Sequence, residues 1–184
     1  MSRLHRADAF LIVIDVQQKL MPVIDDREAT ERNIDRLVRG SKVVDIPAIL
    51  TEQYVQGLGP TVTVIRRAFE ETSGYVPIEK NCFSGYGCSE FVMTTRNLHR
   101  KQVIVAGIEA HVCVYQTVGD LLANGYDVTI VADAISSRTQ ANKEIAIRRM
   151  LFDGARLSST EMVLFELTVN SGTDEFREIS RLVK

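Results

Sequence analysis

The sequence predicts a three-layer α/β/α sandwich around a mostly parallel central sheet. Short apolar runs, typical of strands covered on both faces, alternate along the chain with stretches whose apolar residues follow helical spacing. Strands that alternate with helices usually run parallel, because each helix carries the chain back to the edge where the next strand starts. We expect one such domain over residues 1–184, since the chain has no linker-like or repeated segment.

The predicted strands are short apolar segments that end at polar residues or glycine. They cover residues 9–14, 46–50, 76–80, 102–106, 127–131 and 155–158. Pro47 lies near the start of the second strand, where a missing backbone N–H is tolerated. The third strand is expected near an edge of the sheet. The order of the strands does not follow from these patterns.

The predicted helices have an apolar stripe and charged residues between its members. They cover residues 27–44, 61–71, 111–122, 142–153 and 173–183, with a further helix capped by Ser89 and another through Met162 and Phe165. Residues 51–60 and 81–87 are rich in glycine and polar residues. We expect both to be loops at the rim of the sheet.

Composition and charge exclude several classes of function. The chain is 45% hydrophobic with a net charge of -2, and its basic residues form no cluster, so nucleic-acid binding is not expected. No apolar run approaches the roughly 20 residues that span a bilayer, and residues 1–8 lack the apolar core of a signal peptide. Three cysteines in such a chain do not suggest a disulfide framework. We therefore expect a soluble cytoplasmic protein that acts on a small molecule.

Cys113 is the first candidate for chemistry. The strand at 102–106 ends at Gly107, and a helix is predicted from residue 111, so Cys113 falls near a helix N-terminus. The free N–H groups and the positive end of the helix dipole favour a thiolate there. With a cation nearby, the pKa of a thiol can fall to within roughly 3.5 to 7.5. The sequence thus predicts a nucleophilic thiolate at neutral pH.

Two further reactive residues stand at the ends of predicted strands. Asp15 follows the strand at 9–14, and Lys80 ends the strand at 76–80. The carboxyl ends of parallel strands meet at one edge of a sheet, where ligands bind in open α/β folds. We expect Cys113 to attack an electrophilic carbon, Asp15 to accept and return the thiol proton, and Lys80 to stabilise the thiolate.

Four segments resemble the isochorismatase-like cysteine hydrolases, in the same order and over nearly the whole chain. The matching segments are FLIVIDVQ at 10–17, Lys80 with Phe83 and Ser84, GIEAHVCVYQT at 107–117, and VADAISSR at 131–138. The resemblance implies a flavodoxin-like or Rossmann-like sheet and a catalytic triad of Asp15, Lys80 and Cys113. It also implies a non-proline cis peptide at Ile108–Glu109, which would aim the N–H groups of Glu109 and Cys113 at a developing oxyanion.

Departures from the family pattern narrow the expected chemistry. Nicotinamidases of this superfamily carry an Asp-x-His metal motif after the second strand, whereas this chain has Glu52-Gln53-Tyr54 there. We therefore expect neither a metal ion nor any other cofactor. Isochorismatases that act on a vinyl ether can lack the cysteine, so the presence of Cys113 favours attack on an amide, imide or related carbonyl.

The resemblance also suggests a substrate pocket and an assembly. We expect Gln17, Leu20, Tyr54 and Phe83 to line the pocket for a small-molecule substrate. Homo-oligomerisation is expected as well, because family members assemble and the helices after Cys113 offer apolar surface.

Other interpretations of the same residues remain open from sequence. An aspartate after a strand is often only a turn residue, and a lone cysteine is often a small buried apolar side chain. Three alternatives are a vinyl-ether hydrolase, a catalytically idle interaction module, and a redox sensor that pairs Cys113 with Cys82 or Cys88. His111 is an unfavourable base for Cys113, because positions two apart on a helix point away from each other.

Overall fold

The structure, a computed structural model, describes residues 3–184 and contains one six-stranded sheet. The strand order is β3-β2-β1-β4-β5-β6, and every neighbouring pair is parallel. The strands are β1 (Ala9–Ile14), β2 (Ala48–Gln53), β3 (Ile78–Lys80), β4 (Gln102–Ile108), β5 (Asp127–Ser136) and β6 (Arg156–Ser158). The predicted parallel α/β architecture is confirmed, and β3 is an edge strand.

Helices follow the strands in alternation. They are α1 (Arg27–Val43), α2 (Val55–Leu58), α3 (Thr63–Thr72), α4 (Ser89–Asn97), α5 (Tyr115–Ala123), α6 (Gln140–Phe152), α7 (Thr160–Thr168) and α8 (Asp174–Val183). Two 3₁₀ turns, Met21–Val23 and Gly85–Gly87, lie between elements, and a π-helical turn at Ala110–Val114 leads into α5.

The sheet separates two hydrophobic cores, which form because successive side chains of a strand point to opposite faces. On one face, Leu11 and Val13 of β1 pack with residues from α1, α3, α7 and α8. On the other face, Phe10 and Ile12 of the same strand pack with residues from α4, α5 and α6. All of β1 is buried, as its unbroken apolar sequence predicts.

The predicted ends of β2 and the following loop are wrong. The strand runs to Gln53 instead of ending at residue 50, and α2 lies inside the segment predicted to be a loop. Polar residues of this segment can be buried because their side chains have hydrogen-bond partners inside the protein. The carboxylate of buried Glu52 accepts from the N–H and the hydroxyl of Thr61, each at 2.6 Å, and from the Tyr75 hydroxyl at 2.5 Å.

Two other boundaries differ from prediction. β4 and β5 continue to Ile108 and Ser136, since the pairing between these strands resumes after a register shift between Val105 and Gly107. Helix α4 begins at Ser89 itself, with Cys88 at the capping position and no side-chain cap. The prediction that Ser89 caps this helix is therefore wrong.

Gly107 is required where β4 passes β1. Its φ of 122° lies in the region that favours glycine, and a Cβ there would stand 2.2 Å from the carbonyl oxygen of Ile14. The obstacle is backbone, so no side chain can move aside. Residue 107 also precedes the turn that presents Cys113, which links the close approach to the site.

We expect Gly107→Ala to destabilise the fold by about 3 kcal/mol or more, because it combines a forbidden φ with a backbone clash. Urea unfolding measures the loss. Gly119→Ala is the matched control: Gly119 lies within α5 with no atom within 4 Å of an added Cβ, so alanine there should be neutral or stabilising. Equal stability of Gly107→Ala and the unmodified protein would contradict the proposed close approach.

Candidate active site

Lys80 and Asp15 meet at the carboxyl edge of the sheet. Asp15 follows β1 with a φ of 52°, and Lys80 ends β3, two strands away. The Lys80 Nζ donates to Asp15 Oδ2 at 2.7 Å, and both side chains are fully buried. Thr51, on the strand between them, donates its hydroxyl to Asp15 Oδ1 at 2.7 Å. Both carboxylate oxygens thus have a partner, as a buried ion pair requires.

The Lys80 ammonium is surrounded by oxygen atoms. Besides Asp15, Nζ contacts the side-chain Oε1 of Gln53 at 2.8 Å and the carbonyl oxygens of Cys82 and Phe83 at 3.2 and 3.0 Å. These acceptors replace the water that a buried ammonium loses. They also fix the position of the charge beside Asp15.

The side chain of Gln17 stabilises this arrangement through hydrogen bonds to the backbone. Its Nε2 donates to the carbonyl oxygens of Gln53 and Gly59 at 2.8 and 2.7 Å, and its Oε1 accepts from the N–H of Gln53 at 2.8 Å. Gln17 is fully buried, and its amide is committed to backbone groups. In the structure, Gln17 therefore stabilises the position of Gln53. We expected Gln17 to line the substrate pocket instead.

The other expected pocket residues differ in exposure. Tyr54 and Phe83 are 54% and 53% exposed, whereas Leu20 packs partly buried against the core. Tyr54 lines a cavity of about 180 Å³ together with Lys80 and Asn81. The lining of this cavity includes neither Asp15 nor Cys113, and the side chain of Lys80 is fully buried.

Cys113 lies in the π-helical turn that follows the end of β4. The peptide bond between Ile108 and Glu109 is cis, and the carbonyl of Glu109 accepts from the N–H groups of Val112 and Val114 at 3.0 and 3.2 Å. These bonds hold the turn on both sides of Cys113. The thiol is buried, with 5% of the residue exposed.

The Cys113 thiol is neutral in this site. Burial, the largest cause, raises the pKa of the thiol, and the negative charge of Asp15 also raises it, whereas the positive charge of Lys80 lowers it. With smaller contributions from Asp15 as a hydrogen-bond acceptor and from the charge of Glu109, the net effect is a pKa of about 12. The prediction of a lowered pKa is wrong, because burial disfavours the thiolate and the negative charge of Asp15 outweighs the positive charge of its partner Lys80.

We expect the alkylation of Cys113 by iodoacetamide to rise about tenfold per pH unit from pH 7 to 10, because only the thiolate reacts. Peptide-resolved mass spectrometry follows the rate, with glutathione as a reference thiol, since a free thiol has a pKa of about 8.5. A rate at Cys113 that levels off below pH 8 would show a thiolate and contradict the neutral site.

Two residues near the site have structural partners. His111 Nδ1 lies 3.0 Å from the Ser137 hydroxyl, which ties the turn before Cys113 to the end of β5. Asp133 Oδ1 accepts from the N–H and hydroxyl of Thr160 at 2.8 and 3.0 Å and thereby fixes the start of α7. Neither contact places the side chain against the thiol.

Some relevant residues carried no signal in the sequence. Thr51 and Gln53 are ordinary polar residues at the end of a strand, and only the adjacency of β1, β2 and β3 brings them to Asp15 and Lys80. The polar run Thr51-Glu52-Gln53 that ends β2 is typical of a loop, so it does not mark these residues as part of the sheet.

Residues 3–184 hold neither a candidate metal cluster nor a candidate membrane span. No three His, Cys, Asp or Glu side chains of these residues gather closely enough to hold a metal ion. None of the described helices combines the length and the apolar character needed to cross a bilayer. The three cysteines are free thiols.

The chain matches a protein-family model and several characterised proteins over most of its length. The model of the isochorismatase domain matches residues 9–162. The chain belongs to the isochorismatase family. It is 36% identical over 185 residues to the secreted isochorismatase effector Isc1 of Phytophthora sojae, covering 100% of this chain and 88% of Isc1. Isochorismatase domain-containing protein 2 of Danio rerio is 37% identical over 182 residues, covering 99% and 90% of the two chains.

Solved structures share the fold over almost the full chain. The MAR1 ribonuclease of Caenorhabditis elegans superimposes with a TM-score of 0.90 at 33% identity, covering 99% of this chain and 92% of that one. YcaC of Pseudomonas aeruginosa gives 0.88 at 26% identity, covering 97% and 90%. Escherichia coli YcaC, an octameric hydrolase of unknown specificity, gives 0.88 at 24% identity, covering 100% and 95%. The fold is thus that of isochorismatase-family hydrolases.

Proposed function

We propose that this protein is a metal-independent cysteine hydrolase that opens a small amide, imide or related carbonyl compound through a covalent bond to Cys113. One observation carries the proposal: Asp15 bonds fully buried Lys80 at 2.7 Å, and its carboxylate is close enough to the buried Cys113 thiol to raise the pKa of that thiol. A nucleophile, a proton acceptor and a cation that fixes the acceptor therefore belong to one buried cluster.

In the first step, Asp15 takes the proton of the Cys113 thiol as the sulfur attacks the carbonyl carbon. A C–S bond forms, and the carbonyl electron pair moves to oxygen. The neutral resting thiol fits this step, because Asp15 removes the proton only when the sulfur attacks. The N–H groups of Glu109 and Cys113 are proposed to bind the oxyanion.

In the second step, the tetrahedral species collapses and the C–N bond breaks. Asp15 returns the proton to the leaving nitrogen, and the acyl group stays on Cys113 as a thioester. Water then attacks the thioester while Asp15 accepts its proton, and the C–S bond breaks to release the acid. Sulfur recovers a proton from Asp15, so the enzyme returns to its starting state.

Lys80 acts throughout on Asp15. Its ammonium lies 2.7 Å from Oδ2, while Gln53 and two carbonyl groups hold it in place. This contact fixes the position of the carboxylate that must accept the proton. We propose that Leu20, Tyr54 and Phe83 contribute to the substrate pocket; Tyr54 and Phe83 are 54% and 53% exposed, so they are accessible to a ligand.

Similar proteins support covalent chemistry and suggest one alternative. The structure of YcaC from Pseudomonas aeruginosa carries covalent acrylamide, an electrophile that reacts with nucleophilic side chains. The Phytophthora sojae relative is an isochorismatase effector, which favours a vinyl-ether substrate as the second candidate. The Caenorhabditis elegans structure is a ribonuclease, although a net charge of -2 does not favour RNA here.

We further propose that the protein is a cytoplasmic homo-oligomer. Three free thiols suit a reducing compartment, and the related fold of Escherichia coli YcaC is octameric. Light scattering on the purified protein tests the assembly, and a mass equal to one chain of 20.6 kDa would contradict it.

A substrate screen tests the proposed function. Purified protein and its Cys113→Ala variant are incubated with panels of small amides, imides, vinyl ethers and short RNA oligonucleotides. We expect hydrolysis of an amide or imide by the unmodified protein alone. Turnover confined to vinyl ethers would favour the second candidate, and turnover of RNA alone would contradict both.

A further inference from the structure

A second carboxylate belongs to Glu109, the residue that begins the turn carrying Cys113. Its carbonyl holds the turn around Cys113 through the N–H groups of Val112 and Val114, and its side chain is only 13% exposed. The negative charge of Glu109 raises the pKa of the Cys113 thiol, in addition to the larger effects of burial and Asp15. A negative charge that develops on the sulfur is therefore opposed by two acidic groups, Asp15 and Glu109.

The pairing of β4 with β5 brings Arg138 next to Glu109. β5 lies beside β4 with Ser136 opposite Ile108, so the residues that follow the two strand ends are neighbours. Arg138 Nε donates to Glu109 Oε2 at 2.9 Å, and the arginine side chain is 57% exposed. The guanidinium thus covers the carboxylate from the solvent side.

We propose that Arg138 is a positioning residue that cancels the negative charge of Glu109 and so permits the nucleophilic form of Cys113. The charged groups facing the thiol are Asp15 from β1, Lys80 from β3 and Glu109 after β4. Lys80 is already bound to Asp15 at 2.7 Å, so it does not neutralise Glu109. Arg138 supplies the cation that balances this second carboxylate.

The consequence for catalysis rests on the proposed function, whereas the charge balance around the thiol does not. Without the guanidinium, the Glu109 carboxylate loses its paired cation. The negative charge of Glu109 then acts on the sulfur without compensation. The thiolate then becomes less favourable, and the same holds for an oxyanion formed near the N–H of Glu109. The effect is modest because the pair is partly exposed to water.

The test measures iodoacetamide alkylation of Cys113 at pH 8.5, resolved by peptide mass spectrometry. We expect Arg138→Met to slow this rate about two- to fivefold. Arg138→Lys, which keeps the charge, should restore most of it. Glu109→Gln should match or exceed the unmodified rate, and adding Arg138→Met to Glu109→Gln should change nothing further.

Two controls separate this effect from general damage. Arg66→Met removes an exposed arginine whose Nε bonds Glu70 at 2.8 Å on α3, and it should leave the rate unchanged. Cys82 and Cys88 in the same samples report any loosening of the fold. Circular dichroism verifies folding.

The proposal is overturned if Arg138→Met alkylates at the unmodified rate, or if it slows the reaction equally with and without Glu109→Gln. No substrate is needed for this experiment. A failure of the covalent mechanism would appear as turnover by Cys113→Ala and would leave the alkylation result unaffected.

Discussion

Cys113→Ala is expected to lower turnover roughly 10⁴- to 10⁶-fold, the scale seen when a covalent nucleophile is removed from a catalytic unit. Asp15→Asn should lower it by a similar amount, because an amide cannot take the thiol proton. Steady-state kinetics with a substrate found by screening measures both losses. The double variant should be no slower than Cys113→Ala, since the residues act in one step.

Cys82→Ala and Cys88→Ala are the matched controls for this experiment. Both thiols are partly exposed and lie outside the proposed triad. We expect them to retain near-normal turnover. If Cys113→Ala kept more than a tenth of the activity, the covalent role of this residue would be untenable.

Lys80→Met should destabilise the protein by about 3 to 5 kcal/mol, because it leaves the Asp15 carboxylate buried without its cation. Urea unfolding at pH 7 measures the change. Asp15→Asn should also destabilise, since it leaves a buried ammonium without its carboxylate. The double variant Asp15→Asn/Lys80→Met should lose less than the sum of the single losses, because no unpaired charge remains.

An exposed ion pair provides the comparison. Arg149 and Asp153 on α6 lie 3.1 Å apart, with the arginine side chain 61% exposed. Breaking that pair with Arg149→Met should cost less than about 1 kcal/mol. Additive losses for Asp15 and Lys80, or a loss as small as that of Arg149→Met, would contradict the coupled buried pair.

The sequence predicts the parts of the fold that depend on local apolar patterns. The run at Ala9–Ile14 is entirely buried as expected, and Asp15 and Lys80 meet because both end parallel strands. Thr51 and Gln53 were missed, since their contribution depends on the strand order, and local patterns do not encode that order.

The thiol of Cys113 shows where sequence reasoning failed. A helix N-terminus and a lysine both favour a thiolate, so the sequence predicts a low pKa. In the folded protein Lys80 forms an ion pair with Asp15, and the pKa of the buried thiol rises to about 12. Burial of the thiol and the nearby charge of Asp15 decide this outcome, and neither follows from local sequence patterns.

Trapping of the acyl group on Cys113 tests the central claim most directly. Turnover is quenched at short times, with and without hydroxylamine, and the Cys113 peptide and the products are analysed by mass spectrometry. The covalent mechanism predicts the acyl mass on Cys113, or a hydroxamate formed at a constant ratio to the acid. Full turnover with Cys113 unmodified and no hydroxamate would contradict it.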